Sequence, residues 1–436
     1  MNTLLTSGSG AVEIADAIER QIRQGDLLQN ASLPSVRDLA KQLEVSPNTV
    51  AAAYKTLRDS GLIITDGRRG TRVSEPPTEF AEYGFAVPEG LRDIASGNLD
   101  AALLPAPEPE WLLQNVRQNG FDPFGDDPQL SGLARHWLEG QRLPSQHVGV
   151  YCGALDAVER ALRARCRPGA TVLIEDPCWP PLRDLLAGLQ LKPRALGMDN
   201  HGALPPTPEI LRGAAAVLLT PRAQNPTGCS FDTQRWRQWS EAMQDAAQTL
   251  LVIDDHWGPL SQAPAVDLHP LPQHWAYVLS TSKFLGPDLR VSIASASASL
   301  HREMQRQQRV GPRWVSLLLQ RLAAHLWSDM LETGRFSEVS GHYQSRRQAL
   351  VDALAGCGIE VSYSGEGLHL WLPVIDETST LQALASTGWA AQAGSPFRLA
   401  SPQAVRVSVG NLTVAQMAQL ANDIAGAMQA PRRRVY

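Results

Sequence analysis

Apolar residues recur at helical spacing from the start of the chain. Val12, Ile14, Ile18 and Ile22 form one stripe that ends at Gly25. A second pattern follows Leu33-Pro34-Ser35, where Ser35 is placed to cap a helix that buries Leu39, Ala40 and Leu43. After a short turn at Val45, Ser46 caps a third helix and Pro47 takes its first position, where a missing N–H costs nothing. Val50, Ala53, Tyr54 and Leu57 then repeat at helical spacing up to Gly61. Two short β-rich runs, 62–65 and 71–73, flank the turn Asp66-Gly67-Arg68-Arg69-Gly70. Two helices joined by so short a turn, followed by a hairpin with arginines at its tip, describe a winged helix-turn-helix. Its last helix is suited to the major groove, and its wing arginines to phosphates or the minor groove.

The pattern then changes. Between Glu75 and Glu110 the chain holds six prolines and little periodicity, so residues 75–91 read as a linker and the remainder as an extended arm entering a second domain. From Asp127 onward apolar β-rich runs alternate with helical stretches. The runs are 171–174, 215–219, 250–253, 277–279 and 291–293, and the helix over 233–247 is the plainest of the helical stretches. Such alternation predicts an α/β domain with a largely parallel, doubly wound sheet of buried strands. The expected organisation is a winged helix in 1–74, a linker in 75–91 and a large domain in 92–436. Ligands of doubly wound sheets bind at the carboxyl ends of the strands.

Charge and cysteine content narrow the picture further. The net charge of −5 argues against a protein devoted wholly to nucleic acid, yet residues 31–74 carry seven Lys/Arg against four Asp/Glu, a net +3. A basic module on an acidic body suits contact with DNA at one end only. The five cysteines (Cys152, Cys166, Cys178, Cys229, Cys357) form no CxxC pair or metal spacing, which points to reduced thiols, a cytoplasmic setting and no metal. No apolar run is long enough for a bilayer, and the first ten residues lack the basic and apolar regions of a secretory signal.

Candidate chemistry gathers at the strand ends. Only four lysines occur, and Lys283 directly follows a strand in Ser280-Thr281-Ser282-Lys283. Unlike arginine, a deprotonated lysine can form a Schiff base. Asp254 ends the apolar run LLVIDD, and a buried carboxylate there needs a cationic partner, such as a protonated pyridine nitrogen. Asn225, in Asn225-Pro226-Thr227-Gly228, can reach a phenolic oxygen, and Trp179 can stack on a ring. Gly153, Ala154 and Leu155 open a helix whose N–H groups can cradle a phosphate, with Arg290 to neutralise it. Each residue alone has a plainer reading as a cap, a turn former or a core ring; together they make a site for pyridoxal 5′-phosphate (PLP).

Two resemblances sharpen these readings. The run LPSVRDLAKQLEVSPNTVAAAYKTLRDSGLIITDGRRGTRV resembles the GntR-family winged helix. That resemblance implies DNA contacts from Arg37, Ser46, Asn48, Thr49 and Arg69, with Tyr54 and Arg68 beside them. From about Pro123 to Gly410 the order of motifs, NPTG and SK-x6-R with a looser EDPCWPP, resembles the fold-type-I aminotransferases. It implies a smaller C-terminal α+β subdomain, PLP on Lys283, Asp254 against the pyridine nitrogen, Asn225 at the phenolic oxygen and Trp179 stacked on the ring. It also implies phosphate contacts from Ser280, Ser282, Arg290, Ala154 and Leu155, and a carboxylate-binding Arg406 in VRVSVG. The fusion is similar to the MocR subfamily of bacterial regulators, and within it to regulators of vitamin B6 salvage in enterobacteria.

The resemblance has tyrosine where this chain has His256, a residue whose charge follows pH; this weakens the expectation of transamination more than that of PLP binding. Trp179 also replaces a tyrosine, which strengthens stacking. The implied function is a PLP-binding, DNA-binding homodimeric repressor or activator whose operator affinity responds to PLP or to an amino compound that condenses with it. The alternative is a working aminotransferase with an appended DNA-binding module.

Overall fold

A computed structural model describes residues 9–28, 30–59, 62–66, 70–74, 87–115, 125–361 and 365–429. The chain forms two compact units, a small one made of residues 1–82 with the short segments 167–170 and 186–192, and a large one made of the rest. Most of the expected linker, residues 75–86, lies outside the described residues, as do Arg68 and Arg69 at the tip of the expected wing.

In the N-terminal unit, helices α1 (Ala11–Gln24), α2 (Val36–Leu43) and α3 (Pro47–Asp59) precede a hairpin of β1 (Ile63–Asp66) and β2 (Gly70–Val73). The expected caps are present. Gly25 closes α1 in the left-handed region at φ 82°. The Ser35 hydroxyl accepts from Asp38 N–H at 3.2 Å, and Ser46 Oγ accepts from Thr49 N–H at 3.1 Å. Ile14, Ile18, Leu39, Leu43, Val50, Leu57, Ile63 and Val73 pack one shared core. Tyr54 belongs to that core: it is 2% exposed and its hydroxyl donates to Pro34 O at 2.8 Å. The expectation that Tyr54 touches DNA is therefore corrected, because its only polar atom is turned inward and already bonded.

The large unit begins with β3 (Arg92–Ile94), α4 (Pro109–Asn115) and α5 (Pro128–Gly140). Strands and helices then alternate: β4 (Val148–Tyr151), α6 (Ala154–Arg165), β5 (Thr171–Glu175), α7 (Pro180–Gly188) and β6 (Lys192–Leu196). A two-residue pair, β7 (Met198–Asp199) and β8 (Gly202–Ala203), precedes α8 (Pro208–Arg212), β9 (Ala216–Leu219), α9 (Thr233–Gln244), β10 (Leu250–Asp255), β11 (Trp275–Ser280) and β12 (Ser292–Ala296). The helices α10 (Ala298–Val310), α11 (Leu317–Glu332) and α12 (Arg335–Gly356) lead to β13 (His369–Pro373), α13 (Glu377–Ser386), β14 (Trp389–Ala393), β15 (Ala404–Ser408) and α14 (Met417–Gln429).

The main sheet has seven strands in the order β4-β12-β11-β10-β9-β5-β6. Its central strands are buried along nearly their whole length, as strands covered on both faces must be. Strands β5, β9, β10 and β11 run parallel, whereas β12 runs against both β11 and β4. The reason is the connection from β11 to β12, residues 281–291, which is too short for the helical crossover that a parallel return needs. A second sheet, β13-β15-β14-β3, carries its own core with α12, α13 and α14. It is the smaller α+β part expected at the C-terminus, and it also takes in β3 from the start of the unit.

One buried ion pair fixes the loop after β9 to the end of β10. Arg222 Nη1 meets Asp255 Oδ2 at 2.5 Å, Tyr277 OH donates to the same oxygen at 2.7 Å, and Gly258 N–H donates to Oδ1 at 2.9 Å. Removing one partner of such a pair strands the other. Asp255→Ala is expected to destabilise the large unit by about 3–5 kcal/mol, measured as a lowered urea midpoint in tryptophan fluorescence. A loss below about 1 kcal/mol would show that the pair is not what holds this loop.

Candidate functional site

The carboxyl ends of β4, β5, β9, β10 and β11 share one edge of the sheet, together with the start of the antiparallel β12. A cavity of about 250 Å³ opens there, lined by Ala154 and Leu155 after β4, Trp179 after β5 and Thr220 and Asn225 after β9. Asp254 and His256 at the end of β10, with Ser280, Ser282, Lys283, Pro287 and Arg290 after β11, complete that side. His369, from β13 of the second sheet, closes the cavity. Ten of the residues singled out from sequence thus line one space.

Gly153 and Arg406 stand just behind it. Gly153 caps α6 at φ 85°, and a Cβ there would come within 2.5 Å of Arg290 Nη2. Glycine is required both for its backbone conformation and for the guanidinium beside it. The N–H groups at the start of α6, the Arg290 guanidinium and the Ser280 and Ser282 hydroxyls thus border one side of the cavity, a combination suited to an anion. Arg406 on β15 is 6% exposed and donates to Asn225 Oδ1 at 3.2 Å and to the carbonyl of Ala95. Asn225 therefore turns its carbonyl to Arg406 and keeps its NH₂ as a donor.

The electrostatics are unusual for a protein interior. The Oδ1 of Asp254 is buried with no hydrogen-bond partner among the described residues. Burial, with the neighbouring Asp255 charge, pushes its pKa up to about 7. Lys283 is enclosed by protein atoms, and burial together with the Arg406 charge pulls its pKa down to about 8. His256 is pulled down to about 4 by burial and by Lys283, and neither ring nitrogen has a hydrogen-bond partner of ordinary geometry among the described residues. The expectation that its charge follows pH near neutrality is thereby corrected: the imidazole is neutral throughout that range. Trp179 is 37% exposed, an aromatic face open to the cavity.

The sequence reading missed Thr220, Pro287 and His369. His369 sits alone in an apolar strand, where a histidine is by default a core residue, and only the register of β13 against β15 brings it to the site. The loop that carries Trp179 is pinned to the segment before β15. Asp176 accepts from the N–H groups of Leu399, Ala400 and Ser401 at 2.7–2.8 Å. Among the described residues no group of His, Cys, Asp or Glu is arranged to hold a metal, and no helix is long and apolar enough to cross a membrane.

In the N-terminal unit Arg37, Ser46 and Asn48 are exposed and Thr49 is half-buried. Ser46, Asn48 and Thr49 stand at the first turn of α3, and Arg37 at that of α2. Ser46 and Thr49 are also bonded to each other through their hydroxyls at 2.9 Å, so both have a capping role of their own.

Residues 11–73 match the bacterial regulatory proteins of the gntR family, and residues 106–424 match aminotransferase class I and II. The vitamin B6 salvage pathway transcriptional repressor PtsJ of Salmonella typhimurium is 34% identical over 427 residues, covering 96% of this chain and 99% of that protein. The pyridoxine biosynthesis regulator PdxR of Corynebacterium glutamicum is 28% identical over 259 residues, 56% of this chain and 55% of its own. Among solved structures, a multiple substrate aminotransferase from Thermococcus profundus shares the fold with a TM-score of 0.69 at 18% identity, over 78% of this chain and 92% of that one. A matching entire-length relative and a matching large domain lead to one conclusion: the chain belongs to the aminotransferase class I and II family, in the branch that carries a gntR-type DNA-binding domain ahead of it.

Proposed function

We propose that this protein is a PLP-binding transcription regulator, a homodimer whose affinity for double-stranded operator DNA depends on the occupancy of the large-domain cavity. The observation that carries the reading is one cavity holding both a half-buried lysine and a carboxylate whose buried oxygen has no partner among the described residues, in a chain that begins with a winged helix. The residues fit the cofactor. Asp254 lacks the cation that a protonated pyridine nitrogen supplies. The NH₂ of Asn225 and the ring of His256 can serve a phenolic oxygen. Trp179 offers its face, and Ala154, Leu155, Ser280, Ser282 and Arg290 border a place for a phosphate. PLP, when bound, supplies an aldehyde that condenses with an amine.

The chain's own groups prepare that chemistry. Burial and Arg406 hold much of the Lys283 amine neutral near pH 8, the form that attacks a carbonyl. Arg406, whose hydrogen bonds among the described residues go to the neutral oxygens of Asn225 and Ala95, can take the carboxylate of an amino compound. Regulation follows if the occupied and empty cavities favour different arrangements of the two units, because a ligand shifts an equilibrium only by its differential affinity. The similarity to repressors named for vitamin B6 salvage and pyridoxine biosynthesis supports B6-related genes as targets.

Three outcomes test this reading. Protein loaded with PLP should show a visible absorption band that Lys283→Ala lacks; a band retained in the variant places the attachment elsewhere. The rate of PLP capture by apoprotein should rise with pH through about 8 and level off above it, since the depressed amine loses its proton there; a midpoint near 10.5 would mean that Lys283 is not desolvated. Arg37→Ala and Asn48→Ala should weaken operator binding in gel shifts while the visible band stays. Arg37→Ala should also lower the salt slope by about 1 if that side chain meets a phosphate. Unchanged affinity in both would remove α2 and α3 from the interface.

A further inference from the structure

Behind the cavity wall one buried amide joins two loops. Gln224 is 1% exposed and bonds the turn after β9, which carries Asn225, to the loop after β5, which carries Trp179. Its Nε2 donates to Glu175 Oε2 at 3.1 Å and to the carbonyl of Pro177 at 2.8 Å. Its Oε1 accepts from the N–H of Thr227 at 3.1 Å and from the Thr227 hydroxyl at 2.7 Å. Both donors and both lone pairs of the amide are thus matched. A flipped amide would set NH₂ against N–H and carbonyl against carbonyl, so its orientation is fixed.

The turn needs such a tie. Ala223 passes through the left-handed region at φ 47°, a path that a residue with a Cβ keeps only where its surroundings hold it. Glu175, the last residue of β5, is the other end of the bond. It also accepts from the N–H of Thr220 at 2.9 Å, and Thr220 lines the cavity. Trp179 follows Pro177 by two positions and Asn225 follows Gln224 directly. The ring face and the amide that border the cavity are therefore linked from behind through Glu175, Pro177 and Gln224. Burial pushes the Glu175 pKa up to about 8, although the bonds from Thr220 and Gln224 pull against it.

We propose that Gln224 is a positioning residue for the ligand ring: by tying the turn at Asn225 to the loop at Trp179, it sets the NH₂ of Asn225 at the ring edge. This rests on the reading of the cavity as a PLP site and deepens it. Gln224 is not among the residues that line the cavity, so it acts on the ligand only through its neighbour.

The test follows the visible band of the full-length protein titrated with PLP. Gln224→Met, which keeps the length of the side chain and removes its bonds, should weaken PLP about tenfold. In the Asn225→Ala background the same change should cost no more than about twofold, because the group it positions is gone. Equal losses in the two backgrounds, or no loss in either, overturn the proposal. Gln224→Glu gives a second measurement and covers a Met variant that fails to fold. Its new carboxyl lies against Glu175, and two buried carboxylates side by side hold one proton between them until the pH is high enough to remove it. While protonated, the new carboxyl can donate to Glu175 and accept from Thr227. PLP affinity relative to wild type should therefore be nearly restored at about pH 6 and fall about tenfold by about pH 9. A ratio to wild type that does not change with pH overturns the proposal. A wild type with no visible band overturns instead the PLP reading on which it rests.

Discussion

The large unit is built around a carboxylate oxygen that, among the described residues, meets no partner. Asp254 and Asp255 are adjacent on one strand, so their side chains leave on opposite faces of the sheet. Asp255 meets Arg222, Tyr277 and the Gly258 N–H; the buried Oδ1 of Asp254 meets nothing among the described residues. An unpaired carboxylate in such a place costs several kcal/mol or holds a proton. Its pKa of about 7 is the second response. Lys283, Arg290 and the start of α6 line the same cavity, a set of groups suited to a ligand that brings both a cation and an anion.

Much of this was legible in the chain itself. Caps, stripes and the short turn between α2 and α3 are local features, and each helix of the winged unit formed where its apolar spacing put it. The buried strands were legible as apolar runs because both faces are covered. Lys283, Asp254, Asn225 and Trp179 were found because doubly wound sheets put ligands at strand ends, a rule that needs only strand order along the chain. What escaped depends on long-range register. The antiparallel course of β12 follows from the length of one connection. The inward turn of Tyr54 needed the position of Pro34. His369 needed β13 to pair with β15 in one register; one residue of slip would have turned it to the opposite face.

The charge of His256 shows a different limit. Residue type alone makes histidine a switch near neutral pH, but enclosure and a neighbouring amine remove that property. In this cavity titration near neutrality belongs to Asp254 and Lys283, whose pKa values of about 7 and 8 converge from opposite directions. Burial is the first cause of both shifts, and it raises the acid and lowers the base because it disfavours the charged form of each.

The bond from Arg406 to the carbonyl of Ala95 has a mechanical meaning. Ala95 is the first residue after β3, the strand through which the chain enters the large unit and which pairs with β14 at the edge of the second sheet. Arg406 thus holds the backbone just past the strand by which the chain enters the large unit, and the same guanidinium holds Asn225 at the cavity wall. One side chain, 311 positions from Ala95 in sequence, so joins the first strand of the second sheet to the loop after β9.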